Sequence, residues 1–311
     1  GAPVSDPQVY FAVSGSDAIE IAIKTALMAT GRSGVLAFEP AYHGLSLGAL
    51  QMTSRDAFRK PFAAHFHSLE QRLPFGCSTE VLDRWFERSP DTACVIVEPV
   101  VGREGVVVPT HGWLAHLRDL CDEHGVLLVA DEVFTGFGRT GFWFACQGDD
   151  IEPDLLCCGK ALGGGLPIAA VVGSRKIMAS WKNEGEALHT GTFVAHPVAC
   201  AAALATLGVL KSERLIQRAA RLGPGVSRVI EAWPERFRSV VEVRGRGLFW
   251  GVELQDSSVA HQLTRTVAER GLLALAGGPE GRVLQLVPPL VITESQLTLA
   301  LDIVASALDE I

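Results

Sequence analysis

Three things are scarce in this 311-residue sequence: clustered basic residues, long apolar runs and paired cysteines. No block of Lys or Arg stands out and the formal net charge is -8. The basic stripe with which a nucleic-acid surface neutralises phosphates is therefore missing. The longest apolar runs, such as residues 126–130 and 199–205, fall well short of the ~20 residues that a membrane-spanning helix needs. No secretory leader is legible at the start. The seven cysteines are scattered; Cys157 and Cys158 are neighbours, and no CxxC pair or Cys/His cluster has metal-ligand spacing. They are expected to be buried free thiols in a reducing cytoplasm, with no metal site. Repeats and low-complexity stretches are absent too. A hydrophobic content of 48% with 20% charged residues excludes a disordered chain. The length allows one large domain with a smaller one beside it.

What is present is a set of short, continuous apolar runs. Val35-Leu36-Ala37-Phe38, Cys94-Val95-Ile96-Val97, Val126-Leu127-Leu128-Val129, Leu155-Leu156-Cys157-Cys158 and Ala169-Ala170-Val171-Val172 have the pattern of strands buried on both faces. They alternate with helical segments, which predicts an α/β fold with a mostly parallel sheet flanked by helices. In residues 112–124 a helical face carries Trp113, Leu114, Leu117, Leu120 and Cys121, and Gly125 follows where a helix end favours a left-handed residue. Beyond Lys211 the character changes. Residues 240–254 read as strand, Gly-rich turn, strand, and the last helix opens with Thr293 and Gln296 at capping-box spacing. A large domain is expected over residues 1–211 and a small α+β domain over residues 212–311.

Two nucleotide-binding strings fail on context. Gly136-Phe137-Gly138-Arg139-Thr140-Gly141 matches GxGxxG, but it does not follow its strand directly. Phe142-Trp143-Phe144 and Gly148-Asp149-Asp150 do not continue it as a helix, so a nicotinamide site is set aside. Gly159-Lys160 lacks the rest of a phosphate loop, with Asp154 in place of the first Gly and Ala161 in place of Ser or Thr.

Polar residues at the ends of buried strands carry more information, because ligands of open α/β sheets bind outside the carboxyl ends of the strands. Asp131 ends the most apolar strand, and a carboxylate buried there needs a cation or several donors. Lys160 ends the next one, between apolar residues and Gly163-Gly164-Gly165. Such surroundings lower an amine's pKa and leave it neutral enough to condense with an aldehyde. A plain Asp131–Lys160 ion pair explains the two residues equally well. Ser14-Gly15-Ser16-Asp17 precedes an apolar helical run ending near Gly31. It offers either an anion site at a helix N-terminus or simple N-caps.

Together these segments resemble the class III aminotransferases, pyridoxal-phosphate enzymes of fold type I. The matching stretches are Ser14-Gly15-Ser16-Asp17-Ala18-Ile19-Glu20, Tyr42-His43-Gly44, Val97-Glu98-Pro99, the run from Asp131 to Gly141, Pro153-Asp154, and Gly159-Lys160-Ala161-Leu162-Gly163-Gly164-Gly165-Leu166-Pro167. Gly191-Thr192-Phe193, Arg244-Gly245-Arg246-Gly247 and Pro288-Pro289-Leu290 complete the order. The resemblance implies an amino-group transfer from an amine or amino acid to a 2-oxo acid, with pyridoxal 5'-phosphate held by Lys160 as a Schiff base (internal aldimine). It implies that Asp131 keeps the pyridine nitrogen protonated, that Tyr42 and Val133 pack on the two ring faces with His43 beside them, and that Glu98 lies near the aldimine. Ser14, Gly15 and Ser16 are the implied phosphate site, joined by Thr192 from a second subunit, so a cytoplasmic homodimer is expected. Aminomutases and amino-lyases share Lys160 and Asp131, and remain alternatives.

The pattern also departs from the family. Members usually carry a further stretch ahead of the position of Val9-Tyr10-Phe11 that builds substrate-pocket and dimer surfaces; this chain is expected to be a fragment, a domain excised from a larger protein or a shortened member, and a cofactor-binding module without activity of its own is a further alternative. Gln285 stands where ornithine-, acetylornithine- and 4-aminobutyrate-type members place an Arg for a substrate carboxylate, and Gln has no guanidinium fork. Arg139, Gln285 and Arg244 are the candidate substrate contacts, with Arg282 a further possible replacement. Phe134 stands where several members place Gln, closer to ω-transaminases and diaminopelargonate-type enzymes. The expected substrate is therefore not ornithine-like.

Overall fold

The computed structural model describes residues 1–66, 70–182 and 185–311. A seven-stranded sheet is built from β1 (Pro7–Ala12), β2 (Gly34–Glu39), β3 (Glu70–Pro74), β4 (Thr92–Val97), β5 (Leu127–Asp131), β6 (Leu155–Cys158) and β7 (Ala169–Ser174), with the mainly apolar runs in β2 and β4 to β7. Its order is β1-β7-β6-β5-β4-β2-β3. The strands from β6 to β3 pair in parallel, and β7 runs antiparallel to both β6 and β1. Along β4 every residue is buried: Val95 and Val97 face a cluster with Leu36, Trp113 and Leu128, while Cys94 and Ile96 face one with Ile19, Ala22 and Val129. Two covered faces explain why these strands show no polar alternation.

The helix Gly15–Thr30 covers the second of those faces, capped by Ser14 and closed by Gly31 at φ 68°. The helix Trp113–His124 lies against the other, and Gly125 adopts φ 62° at its end. Lys160 was expected to end a strand; it stands two residues beyond β6, at the start of a single 3-10 turn, Lys160–Gly163. The Gly136–Gly141 string forms turns and opens no helix, with Gly138 at φ 100° and Gly141 at φ 92°.

A second, antiparallel sheet has the order β10-β11-β9-β8, from β8 (Val240–Arg246), β9 (Phe249–Leu254), β10 (Leu275–Gly277) and β11 (Val283–Leu286). It shares a core of Trp250, Val252, Leu263, Leu284 and Val304 with the helices Ser257–Glu269 and Glu294–Leu308. Thr293 and Gln296 form the capping box. The helix Leu215–Ile230 belongs to both cores, with Leu215 and Ile216 in the first and Ala219, Val226 and Ile230 in the second. The expected division at residue 211 thus falls just before a shared helix. All seven cysteines are free and five are buried. Among the described residues no helix is long and apolar enough to cross a membrane.

Candidate active site

The carboxyl ends of β4, β5 and β6 open onto a cleft of about 190 Å³ lined by Ser14, Gly15, Ser16, Tyr42, His43, Gly44, Glu98, Asp131, Val133, Phe134 and Lys160. Residues from five separate stretches meet there because parallel strands deliver their ends, and the loops that follow, to one edge.

Asp131 forms the floor and is only 5% exposed. Its Oδ2 lies 2.7 Å from His43 Nδ1, and its Oδ1 accepts from the Val133 amide at 3.1 Å. With the carboxylate ionised, Nδ1 carries the proton. His43 Nε2 is buried and has no hydrogen-bond partner among the described residues. The loop holding His43 is fixed from below, since Thr53 Oγ1 accepts from the His43 and Gly44 amides at 3.0 and 3.2 Å. Glu98 ties two walls together: Oε1 accepts from the Tyr42 amide and Oε2 from the Gly102 amide, both at 2.9 Å. Burial pushes the Glu98 carboxyl up to about 7; the charge of Asp131 adds to this, while His43 and the two amides oppose it.

Lys160 adopts φ 32°, a left-handed conformation that non-glycine residues hold at a cost of ~1 kcal/mol or more. The turn holds it there through the Leu162 amide, which donates to Gly159 O at 2.8 Å. Nζ lies 4.3 Å from the centre of the Phe134 ring. The side chain is open to the cleft yet surrounded by protein, as befits the wall of a concavity. That burial lowers its pKa from the usual lysine value; Asp131 and Glu98 oppose the shift and Arg103 adds to it.

At the other end stands the first turn of the helix Gly15–Thr30. Ser14 Oγ accepts from the Asp17 amide at 3.1 Å, so Ser14 is an N-cap as well as a cleft residue. Ser16 Oγ accepts from the Leu45 amide at 3.1 Å, which leaves its hydroxyl proton free to donate. The amides of Gly15 and Ser16 are among the first of the helix and have no acceptor within it. A Cβ on Gly15 would lie 2.8 Å from Val133 Cγ1, and one on Gly44, at φ 125°, would run into Ser16 Oγ. Both glycines keep the cleft open.

The three candidate substrate contacts are not among the residues lining this cleft. Arg139 spends its guanidinium on the carbonyls of Leu248 and Pro288, and burial lowers its pKa to about 10. It joins the two sheets. Arg244 pairs with Glu253 and, at 2.7 Å, with Glu242, and donates to Gly105 O. Gln285 Nε2 donates to the carbonyls of Gly102 and Arg103 at 3.1 and 3.2 Å and so braces the wall rather than facing into the cleft. Arg282 is paired with Glu253 and Glu280. Thr192 is exposed and does not line this cleft. Arg103, not singled out in the sequence, has its guanidinium 4.6 Å from the Tyr42 ring centre; a lone arginine in a Gly-rich loop gives no signal of its own.

A buried carboxylate backed by a histidine, a desolvated amine and an open helix N-terminus form the donor set that pyridoxal 5'-phosphate requires: a partner for its ring nitrogen, one for its aldehyde and one for its phosphate. Residues 2–308 match the family Aminotransferase class-III. The chain belongs to the class III aminotransferases. It is 41% identical over 307 residues to an acetylornithine aminotransferase of Methanopyrus kandleri, covering 99% of this chain and 76% of that one. Among solved structures, an ornithine aminotransferase from Toxoplasma gondii ME49 superposes with TM-score 0.90 at 30% identity, over 97% of this chain and 73% of that one. An amine transaminase from an uncultivated Pseudomonas species in its PLP-bound form gives TM-score 0.89 at 29% identity, over 97% and 77%. This aminotransferase therefore works with pyridoxal 5'-phosphate and amino- and oxo-acid chemistry.

Proposed function

We propose that Lys160 holds the cofactor covalently and that the chain moves an amino group from an amine or amino acid to a 2-oxo acid. The observation that carries this is the meeting of Lys160, Asp131 and the helix N-terminus at Gly15 in one cleft. Bound there, pyridoxal 5'-phosphate supplies an aldehyde and an electron-withdrawing ring. Lys160 supplies a neutral amine, a nucleophile that can also take and return a proton once released. Asp131, held by His43 and Val133, keeps a proton on a ring nitrogen placed against it. Gly15 and Ser16 donate to the phosphate through amides and hydroxyl, while Tyr42 and Val133 are the flat walls. Glu98 holds the Tyr42 and Gly102 segments in register beside the amine.

A homodimer is part of the proposal. Leu188, Phe193, Val198, Leu204 and Val209, which flank Thr192 or follow it in the helix Pro197–Ser212, are exposed apolar residues, and a second subunit is what such a surface fits. Thr192 then completes the partner's phosphate site. Seven unpaired thiols support a reducing, cytoplasmic setting. With Gln285 engaged on backbone carbonyls, the donor is an ω-amine rather than ornithine. The names of the acetylornithine-type relatives favour an acylated ornithine instead, and turnover of the two donor classes side by side decides between them.

The test is direct. Purified protein mixed with pyridoxal phosphate gains visible absorbance, and borohydride fixes the label to Lys160 by peptide mass spectrometry. Amine transfer to a 2-oxo acid follows. A label on another lysine, or none, sinks the assignment.

A further inference from the structure

One cation beside the cleft has, among the described residues, only a long ion pair. The Arg103 guanidinium lies 4.6 Å from the Tyr42 ring centre and 5.3 Å from that of Phe58. Stacking on aromatic faces holds a guanidinium by its plane and leaves its edge donors available. Its only ion pair among the described residues is a long one, 4.0 Å from Nε to Glu104 Oε1, and its side chain is 47% exposed. Glu104 is buried, and its Oε2 is taken by Arg55 at 2.8 Å. Two guanidinium groups thus share one carboxylate, leaving an excess positive charge beside the wall that carries Tyr42. That charge reaches the reacting amine, since Arg103 disfavours the ammonium form of Lys160.

The backbone under Arg103 is fixed, while its side chain is held by stacking and one long ion pair. Glu98 Oε2 accepts from the Gly102 amide, Gln285 Nε2 donates to Gly102 O and Arg103 O, and the Gly278 amide donates to Arg103 O at 3.1 Å. The other arginines considered for a substrate carboxylate, Arg139, Arg244 and Arg282, are engaged elsewhere.

We propose that Arg103 binds the carboxylate of the 2-oxo acid acceptor and thereby sets the acid specificity of the second half-reaction. A planar fork already positioned by two rings suits a carboxylate bidentately. The inference rests on the transamination reading and names the residue that recognises the acid beside that cleft, against Tyr42.

The experiment compares pyruvate with propanal as acceptors for one amine donor, in the cofactor-loaded wild type and in Arg103→Gln and Arg103→Lys. Expected is a fall of roughly 10- to 100-fold in kcat/KM for pyruvate in Arg103→Gln, mainly through KM. Propanal should change by less than about 3-fold, and Arg103→Lys should recover part of the loss. As a readout apart from turnover, pyruvate should slow phenylglyoxal modification of Arg103, followed by peptide mass spectrometry. If pyruvate and propanal fall together, or pyruvate kinetics are unmoved, or pyruvate gives no protection, the assignment of Arg103 is overturned while transamination stands. If the wild type transfers an amino group to neither acceptor, the transamination reading fails and this inference with it.

Discussion

His43 Nδ1 and Asp131 Oδ2 stand 2.7 Å apart although 88 residues separate them in sequence. The bond joins the loop after β2 to the tip of β5, and it places a hydrogen-bonded carboxylate on the floor of the cleft. Its strength depends on the negative charge of Asp131, since a charge-assisted hydrogen bond is about twice as strong as a neutral one.

Asp131→Asn keeps the shape and removes that charge. Cofactor binding should persist, while the first half-reaction with an amine, followed by stopped-flow absorbance, should slow by roughly 10²- to 10³-fold. A rate within a few-fold of wild type excludes the proposed role of Asp131.

Glu98 should make stability depend on pH in a defined direction. Its folded value, about 7, lies above the ordinary carboxylate value, so the folded state binds the extra proton. The contribution is complete below the ordinary carboxylate range and is lost as pH rises through about 7. Denaturant unfolding of wild type and Glu98→Gln should therefore show a wild-type advantage that shrinks between about pH 5 and pH 7 and then levels off. A constant difference across that range contradicts the buried, proton-binding carboxyl.

Gly44→Ala introduces a Cβ against Ser16 Oγ at a backbone angle of φ 125°. The expected loss is about 1–3 kcal/mol of stability. Affinity for pyridoxal phosphate should weaken at least several-fold, because Ser16 cannot move without disturbing the helix N-terminus. Thermal unfolding and a fluorescence titration with the cofactor measure the two effects.

Arg139→Met separates structure from recognition. It leaves the Pro288 and Leu248 carbonyls without a donor, which should cost about 1–3 kcal/mol. The melting temperature should drop while KM for the acid acceptor stays near the wild-type value. A selective rise in that KM restores Arg139 as a substrate contact.

The sequence alone determined most of the sheet and half of the site. Runs such as Cys94-Val95-Ile96-Val97 state their own burial, because a strand covered on both faces has no reason to alternate. Asp131 and Lys160 stood out because charge is costly at the end of an apolar run and is kept there for a use. Ser14 was legible as a cap, Gly31 and Gly125 as helix ends, and Thr293 with Gln296 as a capping box, all interactions between near neighbours in the chain.

Only the tertiary structure decided where the arginines and Gln285 go. Whether a guanidinium meets a carbonyl, a carboxylate, an aromatic ring or open space depends on partners far away in sequence: Pro288 for Arg139, Glu253 for Arg244, and Tyr42 and Phe58 for Arg103. Long, flexible cations carry no local signature of their partner. Their role is fixed by packing between the two sheets, which no spacing along the chain encodes.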